Sequence, residues 1–185
     1  MAELPGNVYL VGPMGSGKTS LGRRVARKLG LSFVDCDEEI VRRTGASVNL
    51  IFDIEGEPGF RKREKDMLRE LAERSGVLVA TGGGAVLDPD NRALLRRTGM
   101  VVWLRTSVQQ QLRRLELDRN RPLLQTPDRR QRLEALALER DPLYDEAAHL
   151  AFSGGQRNLK AAAAALTEAI QRHQQQDREK HHAQP

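Results

Sequence analysis

The residues Gly12-Pro13-Met14-Gly15-Ser16-Gly17-Lys18-Thr19 satisfy the phosphate-loop pattern G-x-x-x-x-G-K-[ST] at every fixed position. Glycines let such a loop wrap with its backbone N–H groups pointing inward, and a helix starting at its end adds partial positive charge. Lys18 is then placed for the β- and γ-phosphates of a nucleoside triphosphate, and the Thr19 hydroxyl for one Mg2+ ion. Gly15, Ser16, Gly17 and Ser20 complete the expected cradle. The competing reading is a glycine-rich turn that binds nothing. Context argues against it. Val8-Tyr9-Leu10-Val11 reads as a buried strand leading in, and Leu21, Val25 and Leu29 recur beyond it as on one helix face.

Other candidates sit at the ends of other apolar runs. Leu31-Ser32-Phe33-Val34-Asp35-Cys36-Asp37 reads as a short strand ending in two carboxylates, and open α/β sheets bind ligands at the carboxyl ends of strands. One acid suits a metal and the other a substrate. Equally, either could simply cap the helix beginning at Glu38. Val77-Leu78-Val79-Ala80 ends at Thr81-Gly82-Gly83-Gly84, whose glycines allow close backbone approach to a ligand. Phosphate-loop enzymes commonly end a strand in an Asp that helps hold Mg2+. This run has none, which favours Asp35 for that role. Arg61 and Glu64 share a helix face, a spacing that also fits a surface ion pair. Asp53-Ile54-Glu55-Gly56 matches the D-x-x-G of GTPase switches only superficially, since no N-K-x-D occurs in the chain. Residues 116–127, with Arg119, Arg121 and Pro122, form an irregular polar stretch suited to a mobile lid over phosphates, or to an ordinary exposed loop.

The remaining pattern supplies the elements that position these groups. Residues 38–75 read as helical, broken by Gly45, Gly56 and Pro58-Gly59. Asp88-Pro89 opens a helix, Met100–Leu104 is a fourth strand with Trp103 in the core, and 107–115 is helical. A helix over 128–140 is followed by Asp141-Pro142-Leu143-Tyr144, a fifth strand at Leu150-Ala151-Phe152 and a closing helix over 159–170. The polar stretch 171–185 is expected to be a disordered tail. Strands alternating with helices predict an α/β fold: a three-layer α/β/α arrangement around a five-stranded parallel sheet. Residues 1–170 form the expected domain, with a substrate-binding region at about 36–62 and a lid at about 116–127.

Composition narrows the function classes. No apolar run approaches the roughly 20 residues that span a bilayer, and the N-terminal Met1-Ala2-Glu3-Leu4-Pro5 lacks the pattern of a signal peptide. The single cysteine, Cys36, rules out an internal disulfide framework and suits a reducing compartment, so the cytoplasm is the expected location. Two flanking acids disfavour its thiolate, so an inert thiol is expected. The net charge is +5, but aromatic residues are 4% of the chain and the arginines are interspersed with acids, which disfavours a nucleic-acid platform. Arginine suits small phosphate- and carboxylate-bearing ligands.

With these motifs assembled, the chain resembles the shikimate kinases. The resemblance rests on Gly12 to Thr19, Asp35-Cys36-Asp37, Phe60-Arg61 with Glu64, Gly82-Gly83-Gly84, Arg121-Pro122-Leu123-Leu124 and Arg140-Asp141-Pro142-Leu143-Tyr144. It implies a phosphate-loop kinase of the nucleoside monophosphate kinase-like fold, with a helical substrate-binding region and a lid. It implies transfer of the ATP γ-phosphate to the 3-hydroxyl of shikimate, within aromatic amino acid biosynthesis. By position, Asp37, Arg61, Gly82, Gly83 and Arg140 would bind shikimate. Lys18, Asp37 and Arg121 would be catalytic, with Arg121 reaching the phosphates from the lid. Thr19 and Asp35 would serve one Mg2+, Arg114 and Arg157 would flank the adenine, and Glu64 would orient Arg61. The partners implied are ATP and shikimate, and nothing calls for more than a monomer.

The rivals are a gluconate or nucleoside monophosphate kinase of the same fold, an ATP-dependent binding protein, and an arginine-rich nucleic-acid binder. The scarcity of aromatics disfavours a nucleotide acceptor. An acceptor site built from Asp37, Arg61 and Arg140 disfavours the binding protein. Binding that weakens steeply with salt would mark the nucleic-acid binder.

Overall fold

The computed structural model describes residues 6–116, 118 and 121–182, the last two without their side chains. Strand β1 (Asn7–Val11) is buried along its whole length. Its alternate side chains feed two separate cores, Tyr9 and Val11 on one face, Val8 and Leu10 on the other. A strand apolar on both faces belongs in the middle of a parallel sheet covered on both sides. The one polar residue, Asn7, is satisfied: its amide donates to the Arg74 carbonyl at 2.7 Å and accepts from the Val77 N–H at 3.1 Å.

Around β1 stand β2 (Ser32–Asp35), β3 (Val77–Ala80), β4 (Gly99–Arg105) and β5 (Leu150–Ser153), all parallel, in the order β2-β3-β1-β4-β5. Helices α1 (Lys18–Leu29) and α7 (Leu159–His182) cover one face through Leu21, Val25, Ala163 and Leu166. On the other face lie α2 (Cys36–Thr44), α3 (Val48–Ala72), α4 (Pro89–Thr98) and α6 (Arg129–Ala147). The three-layer α/β/α expectation holds. Helix α5 (Val108–Arg114) follows β4, opened by a reciprocal cap between Ser107 and Gln110. Trp103 is in the core, 5% exposed, with its ring stacked 5.9 Å from that of Tyr144.

The structure corrects several boundaries. β2 stops at Asp35, because the Asp35 side chain caps α2 by accepting from the Glu38 N–H; Cys36 and Asp37 therefore lie on the helix. Pro58 and Gly59 do not break α3; the interruption is at Gly56, whose φ of 71° and ψ of 177° leave the helical region. Helix α6 runs through Pro142 to Ala147. The carbonyl that Pro142 leaves without a donor belongs to Leu138, an 84% exposed residue on the solvent side. The closing helix does not stop at 170: α7 carries on to His182, its seam to the sheet closed by Leu166 and Ile170 and a pair such as Gln175–Glu179 lying on its later turns. No described helix is long and apolar enough to cross a membrane.

Candidate active site

The loops after β1, β2 and β3 open at the same edge of the sheet, the carboxyl edge where such folds bind ligands. The loop after β1 keeps the phosphate-loop shape through Gly15 and Gly17, with φ of 75° and 89°. Gly17 ends it as the N-cap of α1, whose first residue is Lys18. Lys18 Nζ donates to the carbonyls of Gly12 and Pro13 at 2.7 and 2.9 Å. Burial, and next the charge of Arg121, lowers its pKa to about 8. An ammonium so poorly solvated gains strongly from an approaching phosphate.

Thr19 Oγ1 donates to Asp35 Oδ2 at 2.5 Å, while Asp35 Oδ1 caps α2. The two readings of this acid are therefore compatible: one oxygen caps and the other meets the phosphate loop. Neighbouring Asp37 caps nothing. Its Oδ1 is buried without a hydrogen-bond partner, and its Oδ2 lies 3.7 Å from Arg121 Nη1. Burial, and then the charge of Asp35, raises its pKa, while Arg121 and Lys18 oppose the rise.

Asp37 shares a cavity of about 360 Å3 with Gly15, Gly17, Lys18, Thr19, Ser20, Asp35, Arg61, Gly82, Gly83, Arg121 and Arg140. Residues from α2, α3, α6 and the loop after β3, more than 100 positions apart in the chain, thus meet beside the phosphate loop. Arg61–Glu64 is no surface pair. Arg61 Nη1 donates to Glu64 Oε2 at 2.9 Å, and the Glu64 side chain is 1% exposed. Burial raises the Glu64 pKa to about 7, against the pull of Arg61, and its second oxygen has no partner. The glycines after β3 are there for close approach. A Cβ on Gly82 would overlap Glu64 Oε1 and come within 3.2 Å of Asp37 Oδ1, and one on Gly84 would overlap the Arg61 guanidinium. Arg140 is buried, with its Nε unpartnered. Cys36 faces inward, fully buried; burial, followed by Glu64 and Asp37, pushes its thiol up, as an inert thiol requires.

Arg114 and Arg157 lie elsewhere. They border a second cavity of about 280 Å3 with Ser16, Thr106, Gln110 and Gly154, which meets the first at Gly17 and Ser20. Arg114 Nη1 donates to the Gly15 carbonyl at 2.8 Å. In the expected lid, Arg119 lies outside the described residues. Arg121 begins a short turn over Pro122–Leu124, and its Nε donates to Asp118 at 3.3 Å. Arg129 ties the base of this segment to α6 by donating to the carbonyls of Leu115 and Asp118.

Further residues to which the sequence assigned no role complete the site. Val48, Phe52 and Phe60 give the cavity an apolar wall, with the two phenyl rings 4.9 Å apart; the i, i+4 spacing of Val48 and Phe52 was the available signal. The Tyr144 hydroxyl donates to the Gly83 carbonyl at 2.5 Å, holding the glycine loop against α6. Glu57 accepts from Arg61 Nε and Nη2; its position four residues before Arg61 on one helix face was the available signal.

A family model described as shikimate kinase matches residues 14–171. A shikimate kinase of Nitrosomonas europaea is 47% identical over 94% of this chain and 82% of its own length. One from Thioalkalivibrio sulfidiphilus is 58% identical over 78% of this chain and 76% of its own. The solved shikimate kinase of Acinetobacter baumannii in complex with shikimate superposes with a TM-score of 0.88 at 47% identity, covering 91% of this chain and 94% of that one. A phosphate loop seated beside a buried pocket of two arginines and an aspartate, together with these matches, places the chain in the shikimate kinase family of ATP-dependent kinases.

Proposed function

We propose that the chain transfers the γ-phosphoryl group of ATP to the 3-hydroxyl of shikimate, giving ADP and shikimate 3-phosphate. The observation that carries this reading is the single cavity in which Lys18, Asp37, Arg61, Arg121 and Arg140 converge. Phosphoryl transfer needs positioning and charge stabilisation more than covalent help. Arg61 and Arg140 grip the acceptor carboxylate, and Gly82 and Gly83 let the ring lie against backbone. Asp37 accepts from the attacking hydroxyl; burial has raised its pKa in the direction that suits taking that proton. The hydroxyl oxygen forms the new bond to phosphorus as the bond to the ADP oxygen breaks. Lys18, the N–H groups of residues 15–20 and Arg121 offset the charge on the transferring oxygens.

The residues present fit one Mg2+. Thr19 Oγ1 and Asp35 Oδ2 stand 2.5 Å apart at the cavity floor, and no cluster of three His, Cys, Asp or Glu occurs among the described residues. One hydroxyl and one carboxylate suit an ion that keeps its waters and takes its other ligands from phosphate. Thr19 would hold it directly and Asp35 through water. When bound it supplies charge neutralisation between the phosphates. Arg114 and Arg157 flank the adenine from the second cavity. The substrate-binding region, about 36–62, and the lid, about 116–127, are parts of one domain. Nothing in the proposed site calls for more than a monomer, and the buried free Cys36 suits the cytoplasm.

The test is ADP release from Mg-ATP with shikimate, gluconate or nucleoside monophosphates as acceptor. Shikimate-dependent turnover is expected. Turnover only with another acceptor would keep the kinase and discard the acceptor assignment. ATP binding without acceptor-dependent turnover would leave a binding protein.

A further inference from the structure

Behind Arg61 of the acceptor cavity stands an acid that the proposed reaction does not use, Glu57, and any role for it rests on that acceptor reading. The Arg61 guanidinium is already occupied. Nη1 donates to Glu64 at 2.9 Å, while Nε and Nη2 both donate to Glu57 Oε1, at 3.2 and 2.9 Å. Nε and Nη2 form one edge of the fork, the kind of parallel N–H pair that takes a carboxylate in two-pronged fashion. One cation thus stands between two carboxylates at the place where the carboxylate of an acceptor would arrive.

The two acids are not equivalent. The Glu64 side chain is 1% exposed and cannot reach water, whereas that of Glu57 is 41% exposed. Glu57 also directly follows Gly56, where the helical backbone of α3 is interrupted. Its carboxylate can turn into solvent at little cost. Arg61 does not need it for orientation. Glu64 holds the guanidinium from within, Gly84 gives it a flat seat, and the Phe60 ring lies 5.5 Å from its central carbon.

We propose that Glu57 is a built-in competitor for the carboxylate of the acceptor. It occupies Arg61 in the empty site and yields that edge only to a ligand whose carboxylate comes with enough further contact to displace it. Glu57 thereby weakens acceptor binding and keeps small free anions off Arg61, acting through Arg61 and without touching the reacting atoms.

Glu57→Gln tests this, because the amide oxygen can still accept from Arg61 while the charge is gone. The KM and the calorimetric Kd for shikimate are expected to fall about three- to fivefold, with kcat unchanged and the gain shrinking at high salt. The Kd of shikimate methyl ester, which brings no charge, stays where it is. Glu55→Gln removes the same charge from a neighbouring pair with Arg63 and should change nothing. Glu57→Ala should move shikimate binding in the same direction as Glu57→Gln. A Glu57→Gln chain that binds shikimate no tighter, or gains equally for the ester, overturns the role of Glu57. Failure of the unsubstituted chain to phosphorylate shikimate overturns the function reading instead.

Discussion

The nucleotide side and the acceptor side of the cavity are built in opposite ways. The nucleotide side is one contiguous loop whose binding groups are mostly backbone N–H, with the half-buried cation Lys18. Its shape follows from glycines and from the start of α1, so it tolerates change in the surrounding side chains. The acceptor side is assembled from four separate elements, and its groups are charged side chains, Glu64 and Arg140 buried and Asp37 and Arg61 half-buried. Two of its acids have displaced pKa values, and two carboxylate oxygens lack partners. Backbone loops make robust phosphate sites; buried side-chain charges make selective sites that are sensitive to pH and to substitution.

Asp37→Asn separates the two sides most sharply. Turnover should fall about 10²- to 10⁴-fold while ATP, titrated with a fluorescent analogue, binds as before. Near-normal turnover would remove Asp37 from the chemistry. Arg140→Lys keeps the charge but loses the planar fork, so the KM for shikimate should rise about 10- to 100-fold with little change for ATP. An equal rise for both substrates would mean that the two sides are not independent.

Glu64 offers a measurement that needs no substrate. Its pKa is raised from 4.5 to about 7 in the folded chain, so the folded state holds a proton there that the unfolded state has released. Folding stability should therefore decrease as the pH rises through this window, by about 2 kcal/mol between pH 5 and 7. In Glu64→Gln, denaturant melts should show that slope flattened, leaving the contributions of Asp37 and Asp141, raised in the same direction, and of His149, lowered and therefore opposed to them. The smallest effect belongs to the far end of the nucleotide side. Arg157→Ala should raise the KM for ATP only about two- to fivefold, as befits an exposed arginine beside a ring, and leave shikimate untouched. A larger loss would make that second cavity a principal determinant of nucleotide affinity.

The difference between the two sides also explains what could be read from the chain. The loop from Gly12 to Thr19 and its flanking strand and helix are local, so spacing alone named Lys18 and Thr19. Asp35 and Asp37 could be found at a strand end, but not told apart: one is a cap and the other is not, and that depends on where α2 begins. Gly82 could be read locally as a ligand-facing loop after a strand and Arg61 as half of a pair with Glu64, but Arg140 has no local signature, and only the ordered set of motifs pointed to it.

Periodicity and local spacing by themselves determined the five strands, their alternation with helices and the phosphate loop, while the resemblance to the family rested on the ordered set of motifs. Those features depend on residues within a turn or two of one another, where propensity and pattern act directly. The strand order, the burial of Glu64, the path of α6 through Pro142, the extension of α7 and the occupation of Arg61 by Glu57 were decided only in the tertiary structure. Each of these depends on which distant surface covers a residue. A carboxylate is the same in sequence whether water or a sheet stands beside it, and its charge, its pKa and its partner are set by that neighbour.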